Sequence, residues 1–75
     1  MQELHDRLTT LLSYWAEHNR EHEEEMRQWA EKAAPLGPQV AQALQKAADN
    51  LAQATTSLEQ AQQALSEGTG PSDSG

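Results

Sequence analysis

Cysteine, phenylalanine and isoleucine are absent from these 75 residues, and valine occurs once, as Val40. Without cysteine there are no disulfides, thiolate metal sites or thiol nucleophiles. Proline and glycine are missing from residues 2 to 34 and from 39 to 67, so nothing interrupts two long stretches of chain. Basic side chains are scarce: five Lys and Arg stand against twelve Asp and Glu, for a formal charge of -7. That excludes a general nucleic-acid binder, which needs a basic face to replace counterions on phosphate. No apolar run approaches the ~20 residues that span a bilayer. The polar start Met1-Gln2-Glu3 does not read as a secretory leader, so the expected compartment is the cytoplasm. A chain this short can hardly bury a core and also enclose a substrate pocket, which argues against an enzyme.

Helical periodicity fills both uninterrupted stretches. In residues 2 to 34, Leu4, Leu8, Leu11, Trp15, His18, His22, Met26 and Trp29 recur at steps of three and four, tracing one helix face. Pro35, Gly37 and Pro38 break the pattern, and Pro38 suits the first turn of a second helix, where a missing N–H costs nothing. From 38 to 67, Leu44, Leu51, Leu58 and Leu65 repeat every seven residues. Val40, Ala47, Ala54 and Ala61 are read as the other seam position of that heptad. Residues 68 to 75, rich in Gly and Ser, read as a disordered tail.

The expected fold is all-α: an antiparallel two-helix hairpin over residues 1–67, with helix 2–34, turn 35–37 and helix 38–67. Two helices cannot cover their own apolar stripes, so pairing of two hairpins into a four-helix bundle, a homodimer, is expected. A monomeric, marginally stable hairpin, or one that docks on a different protein, is the alternative.

Chemistry concentrates in helix one. His18 and His22, four residues apart, lie one turn apart on the apolar stripe where a structural helix would carry Leu. Two imidazoles at that spacing can chelate one divalent ion. Glu25 is the first carboxylate candidate beside them and Glu21 the second, with Tyr14, Asn19, Asp49 and Asn50 as outer partners. His5 is too distant to join and reads as a solvated surface residue. Within Glu23-Glu24-Glu25, only Glu25 is expected to point inward. Imidazole and carboxylate ligation without sulfur suits Zn, Ni, Co or Cu(II). Because His18 lies near the middle of helix one, two such helices packed antiparallel would bring both pairs to a common dyad. The competing readings are two packing histidines, or a pH-responsive interface. No nucleophile–base set or phosphate loop is present, so the expected role is metal carriage, buffering or sensing without turnover.

The stretch from Leu11 to His22, with Trp15, His18, Asn19 and His22, followed by Trp29-Ala30-Glu31-Lys32-Ala33, resembles a small prokaryotic helical domain of unknown function. The resemblance covers residues 4 to 66. It implies a stand-alone or appended hairpin module with an Ala/Leu-rich second helix, and no established activity.

Overall fold

The computed structural model describes residues 2–67; the tail reading at 68–75 lies outside them. Two α-helices, α1 (Gln2–Lys32) and α2 (Pro38–Glu67), flank a short 3-10 turn at Ala34–Leu36. No strand occurs among the described residues, and the helices pack antiparallel along their length.

Helix α1 stops two residues short of the expected 34, and Pro35 is the cause. Proline has no N–H to donate to the Glu31 carbonyl and its ring crowds that carbonyl, so the α-helical ladder ends and the chain tightens into the 3-10 turn. The turn then closes locally: the Leu36 N–H donates to the Ala33 carbonyl at 2.8 Å, and the Gly37 N–H donates to the Ala34 carbonyl at 3.1 Å. Gly37 adopts φ 112° and ψ 154°, a region in practice restricted to glycine. Nothing lies within 4 Å of where its Cβ would be, so the demand for glycine here is conformational, not steric. Helix α2 starts at Pro38, as its sequence indicates.

Small residues set the contact between the helices. The α1 seam runs through Leu8, Leu12, Ala16, Asn19, Glu23, Met26, Ala30 and Ala33, all buried or half-buried. The α2 seam runs through Ala41, Leu44, Ala48, Leu51, Thr55, Leu58, Gln62 and Leu65. Ala48 is 0% exposed, and the buried hydrophobic set is Leu12, Ala16, Ala30, Ala33 and Ala48. Thr55 is tolerated in the seam because its Oγ1 donates to the Leu51 carbonyl at 2.9 Å.

This corrects the expected interior. The four leucines of the α2 heptad do face α1, but their seam partners are Ala41, Ala48, Thr55 and Gln62 rather than Val40, Ala47, Ala54 and Ala61. On α1, Leu8 and Met26 of the stripe read as the core do stand in the seam, but the rest of it is displaced in the same way. Leu4, Leu11, Trp15, His18, His22 and Trp29 each sit one residue before a seam position, about 100° round the helix. Val40, Ala47, Ala54 and Ala61 likewise each sit one residue before a seam position on α2. In an antiparallel pair, equal offsets of the same sense place both stripes on one side of the hairpin. That side is open and apolar: Trp29 is 59% exposed, Leu4 60%, Leu11 42% and Trp15 41%. The Lys32 ammonium lies 4.8 Å from the Trp29 ring centroid and covers part of it.

The opposite side carries the polar ties. Arg20 pairs with Glu59, Arg27 reaches Asp49 at 3.1 Å, and Gln62 donates to the Ser13 hydroxyl at 3.0 Å. Arg27 also pairs with Glu23 at 2.9 Å; hydrogen bonds to Glu23 first and Asp49 second hold its proton more tightly than in free arginine. Glu23 rather than Glu25 is therefore the inward member of the acidic run, with 26% of its side chain exposed against 64%. His5 is a further correction. Instead of being a solvated residue, its Nε2 lies 3.3 Å from the Leu65 carbonyl, tying the free ends of the helices. Its Nδ1 is buried without a hydrogen-bond partner, 3.6 Å from Asp6.

Two stability changes follow from the turn and the seam. Gly37→Ala should cost about 1–3 kcal/mol through backbone strain alone. Ala48→Leu should cost about 1–3 kcal/mol by overpacking, whereas Gln45→Leu on the outer face should stay within about 0.5 kcal/mol. Urea unfolding followed by circular dichroism at 222 nm measures all three.

Candidate functional site

His18 and His22 are positioned by the regular helix around them, one turn apart at the middle of α1 and on its open side. Residues four apart on a helix stand one above the other, so the two rings meet without help from the second helix. Their ring centroids are 4.3 Å apart and nearly perpendicular, at 87°. The two Nε2 atoms face each other at 3.0 Å. On the other side of the His22 ring, Nδ1 lies 3.2 Å from the Glu25 carboxylate.

That arrangement assigns roles in the ion-free molecule. An Nδ1–H of His22 donating to Glu25 leaves the His22 Nε2 lone pair free. The Nε2–H of His18 then points at that lone pair. Replacing the shared proton by a cation requires only that His18 move its proton to Nδ1. Two nitrogens bound to one tetrahedral zinc at about 2.0–2.1 Å stand about 3.3 Å apart, so the observed pair is a few tenths of an ångström from chelating distance. Tyr14 stacks on His18, with centroids 5.5 Å apart and planes inclined by 12°, and limits its ring rotation.

The carboxylates take places the spacing did not specify. Glu25 lies on the far nitrogen of His22, as an orienting partner, not beside the two Nε2 atoms. Glu21 lines an open hollow with Tyr14, Glu17 and His18. Among the described residues no three His, Asp or Glu side chains come close enough to hold an ion together. Asp49 is engaged by Arg27, Asn50 is exposed, and half-buried Asn19 stands in the seam, so helix α2 brings no partner to the histidines. Sequence reasoning found the His pair but missed His5 as a tie between helix ends. The signal available was its place in the seam heptad with Leu12 and Asn19.

Among the described residues no helix is long and apolar enough to cross a membrane. No curated protein and no solved structure matches this chain. Residues 8–65, spanning most of both helices and the turn, match the family model described as a domain of unknown function (DUF8180), and the chain belongs to that family.

Proposed function

We propose that this chain is a small, non-catalytic cytoplasmic module that binds a divalent transition metal through His18 and His22 and pairs with a second copy through its open face. The prokaryotic hairpin domains that its Trp15/His18/Asn19/His22 stretch resembles fit such a stand-alone or appended role. The observation that carries the reading is the pair of Nε2 atoms facing each other at 3.0 Å within an apolar face. Zn, Ni, Co and Cu(II) all suit imidazole nitrogen. Carriage, buffering or sensing needs nothing more than reversible ligation.

Magnitudes support the pairing as a balanced equilibrium. Trp15 and Trp29 together leave about one whole tryptophan side chain in water, at 41% and 59% exposure. Burying the 150–250 Å² of one tryptophan at ~25 cal/mol per Å² is worth about 4–6 kcal/mol. Two copies then gain about 8–12 kcal/mol, against an association cost of about 4–15 kcal/mol. The apolar face is of the size needed to tip that balance but not to overwhelm it.

A second reading keeps the face and drops the metal: a module docking on another protein's helix, with the histidines as packing or pH-sensing elements. The exposure of both tryptophans favours it as much as self-pairing. The metal distinguishes the two.

Isothermal titration with Zn, Ni, Co and Cu(II) chlorides is the test. His18→Ala with His22→Ala should abolish binding of whichever ion the native chain takes. Glu25→Gln, which removes the charge on the His22 Nδ1 partner, should weaken it by roughly tenfold, and Glu21→Gln should change it less. Affinity should fall on acidification, because protonated imidazole is no ligand. Unchanged affinity in the double variant would leave the docking module as the function.

A further inference from the structure

The His pair is half of a site. Each chain offers two imidazole nitrogens at chelating distance, and among the described residues no third ligand stands with them. A closed tetrahedral zinc site needs four. The question is whether a second copy could supply the missing two in a way the rest of the face accepts.

The open face has a register that answers it. Suppose two hairpins stack these faces about a two-fold axis, with their first helices antiparallel and the axis level with residue 20. His18 then meets His22 of the second copy, and His22 meets its His18. The same operation lays Leu11 on the second copy's Trp29 and Trp29 on its Leu11. Trp15 falls beside the second copy's Glu25, whose carboxylate can accept the indole N–H. Leu11, Trp15 and Trp29 thus each find an apolar or hydrogen-bonding counterpart.

Helix α2 meets the same axis independently. Ser13 is tied to Gln62 and Arg27 to Asp49, so residue 20, midway between 13 and 27, lies level with Ala54 to Thr56. On the open side that level is Ala54, which would meet its own copy across the axis, while Ala47 would meet Ala61. Small residues at all three positions let the second helices close up, as the imidazoles require.

The area is sufficient. With the axis at residue 20, residues 8 to 32 of α1 overlap; that length, about 37 Å, and about 20 Å across give roughly 750 Å² per copy. Two copies reach the ~1,200–2,000 Å² of stable complexes. Charge works in the other direction. Glu25 lies in that face, one residue before the seam position Met26, and Glu21 stands at its edge beside His18, on a chain of net charge -7. Without a cation the two acidic helices repel. A divalent ion at the axis neutralises part of that charge and links the copies.

We propose, building on the metal-binding reading above, that one divalent ion binds per two chains at the two-fold axis, held by His18 and His22 of both copies, and that it drives dimerisation. Metal binding and pairing are then one coupled equilibrium: each tightens the other by the same factor. The oligomeric state becomes the readout of metal concentration.

Native mass spectrometry of the untagged chain, over a hundredfold range of protein concentration with and without zinc chloride, tests this. The expected result is one zinc per dimer and at least a tenfold fall in the dimer dissociation constant with zinc. His18→Gln with His22→Gln, on an exposed or half-exposed surface, should stay helical by circular dichroism and lose both effects. One zinc per monomer with no change in mass would overturn the shared site while leaving metal binding by the pair intact. Two zincs per dimer would overturn it in the same way. No zinc bound at any concentration would overturn the metal-binding reading itself.

Discussion

Close packing of small side chains is the constraint on which this molecule depends. Ala16, Ala30, Ala33 and Ala48 let two helices of about thirty residues lie against each other, and Leu12 is the only residue larger than threonine among those buried in the described chain. Such a seam aligns helices well, but it removes little apolar surface from water. The larger apolar side chains are consequently left elsewhere, with Leu4, Leu11, Trp15 and Trp29 on the side of α1 that α2 does not cover. The hairpin is organised by one face and stabilised only in part by it. Its second face is left to water.

The histidines acquire their meaning from that division. In the seam between α1 and α2 they would be packing elements. On the open face, at mid-helix, they stand where covering the face also covers them. Their two Nε2 atoms already converge, Glu25 already holds the outer nitrogen of His22, and Tyr14 already stacks on His18. Little reorganisation separates this arrangement from a ligating one. The polar ties, Arg20 with Glu59, Arg27 with Asp49 and Gln62 with Ser13, all lie on the other side and leave the apolar face free of competing ion pairs.

Much of this is legible in the residues. The all-α hairpin follows from two Pro- and Gly-free stretches with helical period, broken by Pro35, Gly37 and Pro38, and the start of α2 at Pro38 is as read. Which stripe faces inward is the harder question. On α2, Leu44 and Leu51 have alanine at both three and four residues, so Ala47 and Ala48 are equivalent by composition and only the contact with α1 separates them; further on, the seam takes Thr55 and Gln62, the polar choices, over Ala54 and Ala61. On α1 the larger side chains made the Trp/His stripe look like the core, although the seam uses Ala16, Asn19 and Glu23 one position later. Bulk identifies an interior only when one surface has to be covered; here there are two. The His pair could be read from spacing alone, because four residues on a helix determine the geometry. The place of Glu25, behind His22 instead of beside both rings, depends on side-chain torsions that spacing does not specify.

The central claim is that the Trp15/Trp29 face becomes covered by a second copy when metal binds. Acrylamide quenching of tryptophan fluorescence tests it most directly, since both tryptophans of the chain lie on that face. In dilute, chelator-treated protein the two indoles, 41% and 59% exposed, should be quenched at roughly half the rate of free tryptophan. Adding zinc should protect them severalfold, and the double His18→Gln, His22→Gln variant should show no such protection. Equal quenching with and without metal, at every protein concentration, would contradict the account.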